Sequence, residues 1–177
     1  MRIISGSKKG KHIIPPKGLK ARPTTDFAKE GLFNILENKI DLEDISVLDL
    51  FSGTGSISFE FASRGAKSVI AVEINSNQVA FIRNETAKMG FNIKVVLANA
   101  FYYMKKAKNE FNIIFCDAPY DIAGIDQIPD IIYDNELLLK DGWLVIEHSK
   151  KYNFSEHKHF IECRNYGSVH FSFFNAK

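Results

Sequence analysis

The stretch Ser46 to Ser56, Ser-Val-Leu-Asp-Leu-Phe-Ser-Gly-Thr-Gly-Ser, constrains this chain more than any other. Val47, Leu48 and Leu50 read as a buried strand. Ser52, Gly53, Thr54 and Gly55 read as a tight turn, and Ser56 onward as the start of a helix. Strand, glycine turn and helix form the opening half of a doubly wound α/β unit. Such units take nucleotide-like ligands at the carboxyl ends of their strands.

The rest of the chain alternates in the same way. Strand patterns cover Ser68–Val72 (ending in Glu73), Ile93–Leu97, Phe111–Cys116 and Trp143–Glu147. Helix patterns cover Ser56–Ser63, Asn77–Met89 (stopped by Gly90) and the residues after Ala98-Asn99-Ala100 to about Lys106. Residues 124–139 are expected to hold one or two helices, with Pro129 limiting the first. Phe160–Cys163 and Val169–Phe174, separated by Arg164 to Ser168, read as a hairpin. Five strand–helix alternations finishing in a hairpin predict a mainly parallel sheet with one antiparallel strand. Before the central strand, Thr24-Thr25-Asp26 offers N-caps for a helix whose apolar positions are Phe27, Leu32, Phe33, Ile35 and Leu36.

The amino-terminal segment differs in kind. Ile3-Ile4 and Ile13-Ile14 flank a basic, glycine-bearing run and predict a small β-hairpin, followed by a loop over residues 15–23. Residues 1–22 carry seven basic side chains (Arg2, Lys8, Lys9, Lys11, Lys17, Lys20, Arg22) and no acid. The other 16 basic residues face 21 acidic ones in the remainder. That asymmetry fits either a polyanion contact or a solvated basic arm. We therefore expect an arm at 1–23, part of the same domain as the α/β unit at 24–177. No apolar run approaches the roughly 20 residues of a membrane helix, and the first residues lack the apolar core of a signal peptide. Cys116 and Cys163 show no metal-type spacing, and the five scattered histidines offer no metal set. A cytoplasmic protein without membrane contact is expected.

Flanking residues narrow the ligand. A dinucleotide fingerprint wants a small residue where Ser58 stands, and a phosphate loop wants a lysine that does not follow Gly55. Asp49, at the end of the central strand, repels phosphate but attracts a cation. Glu73, at the end of the second strand, offers two acceptor oxygens to the two hydroxyls of a ribose. Asn99, after the third strand, is placed to hydrogen-bond an adenine amino group. An adenosine with a cationic amino-acid arm, S-adenosylmethionine, fits all three.

Asp117-Ala118-Pro119-Tyr120 follows the fourth strand and faces the same crevice. An exocyclic amino group on a base is a poor nucleophile, because its lone pair is delocalised into the ring. A site that methylates it holds its N–H groups in acceptor bonds and aligns the nitrogen with the methyl. Asp117 supplies one acceptor and a main-chain carbonyl near Ala118 a second. Pro119 stiffens the turn, and Tyr120 offers a ring for the base to stack on.

These residues resemble class I S-adenosylmethionine-dependent methyltransferases of amino groups, whose motif is Asn/Asp-Pro-Pro-Tyr/Phe. The amino-terminal run is more specific. Arg2-Ile3-Ile4-Ser5-Gly6, Lys9-Gly10-Lys11 and Arg22-Pro23-Thr24-Thr25-Asp26 leading to Leu32-Phe33-Asn34-Ile35-Leu36 resemble the RsmD family of 16S rRNA guanine-N2 methyltransferases. The resemblance spans essentially the whole chain. It implies an α/β, Rossmann-like fold with a seven-stranded, mainly parallel sheet, a C-terminal antiparallel hairpin strand and the amino-terminal β-hairpin. It implies cofactor contacts at Asp49, Phe51, Ser52, Gly53, Gly55, Glu73, Ile74, Asn99 and Ala100, and a reacting group of Asp117, Pro119 and Tyr120. RNA contacts are implied at Arg2, Lys8, Lys9, Lys11, Arg22 and Thr24. The cofactor would be S-adenosylmethionine, leaving as S-adenosylhomocysteine. The partner would be 16S rRNA in an assembling 30S particle, met by a monomer. Two positions depart from the family pattern: Asn99 replaces an aspartate and Ala118 a proline. The reading carries two rivals. One is an N6-adenine methyltransferase of DNA or RNA, since the same motif serves adenine. The other is a non-catalytic RNA-binding assembly factor.

Overall fold

β1 (Ser46–Leu50) lies inside the sheet that organises this protein, third of its seven strands. The computed structural model describes residues 1–16, 18–19, 25–108 and 110–175. The other strands are β2 (Ser68–Glu73), β3 (Ile93–Leu97), β4 (Phe111–Asp117), β5 (Leu138–His148), β6 (Phe160–Tyr166) and β7 (Val169–Asn175). Their spatial order is β3-β2-β1-β4-β5-β7-β6. β1 to β5 are parallel, and β7 runs antiparallel to both β5 and β6. This is the mainly parallel sheet with one antiparallel strand that the alternation predicts, with the seven strands that the family resemblance implies. The order reverses between β1 and β4, so a crevice opens there at the carboxyl ends of the strands.

Helices cover both faces, which is why the inner strands read as continuous apolar runs. α1 (Asp26–Glu37), α2 (Ser56–Ser63) and α3 (Ser76–Met89) pack on one face through Leu32, Phe33, Phe59, Phe61 and Ile82 against Val47, Ile113, Phe115 and Val145. α4 (Ala100–Lys106) and α5 (Ile128–Asp134) cover the other through Met104, Ile128 and Ile132 against Leu48, Ile114 and Leu144. Successive strand residues alternate between the two cores, as the pleat requires.

Two expectations need correction. β5 starts at Leu138, not Trp143: Leu138 pairs with Phe111, and the chain then bulges before Trp143 pairs with Ile113. Asp141 takes a φ of 62° in that bulge, and the Asn175 amide holds it by donating to the Asp141 and Gly142 carbonyls. Residues 124–139 hold two helices as expected, a 3-10 turn at Ile125–Gln127 and then α5, with Pro129 in the first turn of α5, where its missing N–H costs nothing. Phe27 is not on the inward face of α1 but 70% exposed, its ring edge-on to Tyr166. The inward positions are Ala28, Lys29, Leu32, Phe33 and Leu36, so a lysine enters the core.

The amino-terminal hairpin is reduced to one antiparallel bridge, Arg2 to His12, closed by a 3-10 turn at Gly6–Lys8. Ile3 and Ile13 are buried, while Ile14 points outward. The tip lies against the end of α2: a Cβ on Gly6 would fall 1.8 Å from the Ser63 carbonyl oxygen. Among the described residues, no helix is long and apolar enough to cross a membrane.

Candidate functional site

The turn after β1 is built from left-handed residues. Phe51 leaves the strand with a φ of 58°, and Gly53 (56°) and Gly55 (78°) follow. Glycine adopts this region freely. For Phe51 it costs on the order of 1–3 kcal/mol, a strain that tends to mark functional turns. The turn is tied to β2: Ser52 N–H donates to the Val72 carbonyl at 3.0 Å, and Gly53 N–H to Glu73 Oε2 at 2.8 Å. Gly55 N–H closes the turn on the Ser52 carbonyl at 2.7 Å. A Cβ on Gly55 would stand 3.1 Å from both Ile82 and Phe59, so the turn fits tightly onto α2 and α3.

Glu73 is buried, and its other oxygen accepts the Ile74 and Asn75 N–H groups at 2.9 and 2.8 Å. A carboxylate takes about four donors, so these three bonds leave it able to accept from a ribose hydroxyl. Ile74, the next residue, is 65% exposed and presents an apolar surface beside that carboxylate. An acceptor for the ribose hydroxyls next to an open apolar side chain for the adenine is the combination an adenosine needs, so the residues present fit S-adenosylmethionine. Asn99 is exposed and caps α4, its Oδ1 accepting the Tyr102 N–H at 3.1 Å. The buried Ala100 follows as the first residue of that helix.

Asp49 is only 1% exposed, and Ser58 Oγ donates to its carboxylate at 2.5 Å. Burial pushes its pKa up to about 7, against the opposing Ser58 hydrogen bonds. Ser58, the residue that breaks the dinucleotide fingerprint, therefore anchors the carboxylate beneath the turn.

Across the switch point, β4 ends in Asp117, half-buried, with Ala118 buried and Pro119 and Tyr120 exposed. Burial raises the Asp117 pKa well above the usual carboxylate range, and the nearby Glu147 and Asp49 raise it further. Asp49 pairs with Phe115, two residues before Asp117, and Asp117 pairs with Glu147 on β5. All three carboxylates therefore lie on one sheet face at one end of three adjacent strands. Glu147 went unassigned in the sequence. Its signal was an acid closing an apolar strand, as Glu73 does, but its alignment with Asp117 depends on strand order. Among the described residues, no group of three or more His, Cys, Asp or Glu is placed to hold a metal ion.

The basic arm divides. Arg2 pairs with Asp26 at 3.2 Å, and the Met1 sulfur lies 3.6 Å from the Thr54 hydroxyl of the glycine turn. Lys8, by contrast, donates its N–H to Ser63 Oγ at the far end of α2. Lys8 and Lys9 thus stand roughly 12 Å, one eight-residue helix, from the crevice end of that helix. Arg22 and Thr24 lie outside the described residues. The arm is fastened by a buried network the sequence did not reveal. Glu60 accepts the Ile4 and Ser5 N–H groups at 2.9 and 3.0 Å and the Arg64 Nε–H at 2.9 Å. Lys29 Nζ stands 3.6 Å from Glu60 and donates to the Arg2 carbonyl at 2.6 Å and to Ser56 Oγ at 3.3 Å.

The family described as conserved hypothetical protein 95 matches residues 1–175. Ribosomal RNA small subunit methyltransferase D of Buchnera aphidicola subsp. Baizongia pistaciae is 30% identical over 154 residues, covering 86% of this chain and 78% of that protein. The solved structure of the putative methyltransferase yhhF from Escherichia coli superposes with a TM-score of 0.88 at 23% identity, over 100% of this chain and 98% of that one. The 16S rRNA N2 G1207 methyltransferase of Thermus thermophilus, solved with AdoMet and guanosine, superposes with a TM-score of 0.73 at 17% identity, over 90% of this chain and 46% of that one.

Proposed function

The chain belongs to the conserved hypothetical protein 95 family, that of ribosomal RNA small subunit methyltransferase D, and on that premise we propose that it methylates the exocyclic N2 of a guanine in 16S rRNA, using S-adenosylmethionine. The observation that carries the reading is the placement of Asp117 to Tyr120 at the end of β4, directly beside the glycine turn of β1. The substrate is the assembling 30S particle, and the protein acts on it as a monomer.

When bound, S-adenosylmethionine supplies a methyl group on a positively charged sulfur. Glu73 would hold the ribose hydroxyls, Ile74 would offer its apolar surface to the adenine, and the Asn99 side chain would hydrogen-bond the adenine amino group. Asp49 adds negative charge beneath the turn when it is ionised. The target guanine leaves its stack and lies on Tyr120. Asp117 and the main-chain carbonyl near Ala118 accept from the two N2 hydrogens and hold the nitrogen in line. On taking the methyl, with the sulfur keeping the electron pair of the broken carbon–sulfur bond and leaving as S-adenosylhomocysteine, N2 would become cationic and one N–H proton would leave. The raised pKa of Asp117 makes its carboxylate a stronger base for that proton than an exposed aspartate. The basic residues of the arm neutralise backbone phosphates.

Incubation with labelled S-adenosylmethionine and 30S particles lacking the modification tests the reading. Label in 16S rRNA recovered as N2-methylguanosine supports it, and N6-methyladenine in its place supports the adenine rival. No label together with no cofactor binding by calorimetry supports the assembly-factor rival. Asp117→Ala should abolish transfer and leave cofactor binding largely intact.

A further inference from the structure

The transfer just described leaves Glu147 without a task. Glu147 is 4% exposed at the end of β5, in register with Asp117 on the neighbouring strand. Parallel partners share a sheet face, and adjacent strands lie about 4.8 Å apart, so the two carboxylates stand side by side. On the other flank of β4, β1 runs into the glycine turn that the cofactor occupies, and the Asp49 carboxylate is held by Ser58. A base with its amino group on Asp117 therefore turns its remaining edge toward β5.

Guanine presents two adjacent donors on that edge, N1–H beside the N2 amino group. Adenine presents its N6 amino group beside N1, a lone pair. Two neighbouring carboxyl groups, with a proton they share lying between them, still offer one acceptor oxygen each, and that row matches the first pattern and opposes the second. We propose that Glu147 selects guanine by accepting its N1–H while Asp117 accepts from N2. Glu147 has other interactions within the protein, and a carboxylate's roughly four acceptor positions accommodate one more donor. The inference rests on the guanine reading above and deepens it.

The test uses 30S particles reconstituted with either guanine or 2-aminopurine at the position first mapped with the wild-type protein. 2-Aminopurine keeps the N2 amino group but carries a lone pair at N1. Wild type should methylate guanine roughly 10- to 100-fold faster than 2-aminopurine, the discrimination expected of a paired edge contact. In Glu147→Gln the amide can donate to a bare N1, so the preference should collapse or invert. A Glu147→Gln variant that is active and keeps the wild-type ratio overturns the proposal. If that variant is inactive with both bases, the wild-type ratio decides: equal rates on guanine and 2-aminopurine overturn it. Failure of the wild type to label guanine would instead overturn the function itself.

Discussion

The Glu73 carboxylate accepts the backbone N–H of Gly53 at 2.8 Å, so the group proposed to hold the ribose also fastens the glycine turn to β2. Pocket shape and ligand contact thus depend on one side chain. Glu73→Gln should weaken S-adenosylmethionine binding about 10- to 100-fold, the worth of hydrogen bonds to a charged group. Glu73→Ala should in addition lower unfolding stability by about 1–3 kcal/mol, because the Gly53, Ile74 and Asn75 N–H groups lose their acceptor. Calorimetric titration and urea unfolding measure the two effects separately.

Asp49 makes stability depend on pH. Its folded pKa is raised to about 7 from 3.8, so folding favours the protonated form. That contribution is fully present below pH 3.8 and is lost as pH rises through 7. The shift corresponds to a loss on the order of 4 kcal/mol. Asp117 titrates in the same direction, so the informative quantity is the difference between wild type and Asp49→Asn. The variant keeps an acceptor for Ser58 and should lose less stability between pH 4 and 8. Parallel pH curves for the two proteins would contradict the assignment.

Lys29 and Glu60 are both buried, and each lends the other its countercharge. Glu60→Ala leaves the Lys29 ammonium buried without that carboxylate and strips the Ile4 and Ser5 N–H groups of their acceptor. It should cost about 3–5 kcal/mol. Lys29→Met should cost less, since Glu60 retains Arg64. Chemical denaturation of both variants and the double substitution gives the coupling.

Lys8, Lys9 and Lys11 are exposed. Replacing all three with alanine should weaken binding to 30S particles and reduce the salt slope by about two to three if each meets a phosphate. S-adenosylmethionine affinity should not change, because Lys8 and Lys9 lie at the far end of α2 from the turn. An unchanged slope would remove the tip of the arm from the RNA interface.

Gly31 lies within α1 where the Tyr166 ring docks: an added Cβ would fall 2.1 Å from Tyr166 Cε1. Gly31→Ala should therefore destabilise by about 1–3 kcal/mol, against the roughly 1 kcal/mol that alanine gains in a helix. In a Tyr166→Ala background the same change should become stabilising. Thermal unfolding of the four proteins reads the sign reversal.

Much of the crevice was legible because its parts are local. A strand with Asp49 near its end, a left-handed turn needing Gly53 and Gly55, and an acid closing the next strand are set by neighbours a few residues apart. So is the Asp117 to Tyr120 turn. The apolar pattern of α1 puts Phe27 inward, but the buried face of a helix is set by what packs on it, and the ring stands exposed, edge-on to Tyr166 at the end of β6.

Hydrophobic alternation and turn chemistry thus determined the fold class, the strand sequence and the residues at the strand ends, because backbone propensity and side-chain period act over short spans. Only tertiary structure decided which charges meet. The Asp49–Ser58 bond, the Lys29–Glu60 pair and the alignment of Asp117 with Glu147 join residues brought together by strand order and helix packing. Their energies come from burial and proximity, which no single stretch of chain encodes. The turn at Gly53 could be read from its own residues; that it is held shut by Glu73, 20 positions later, required the sheet.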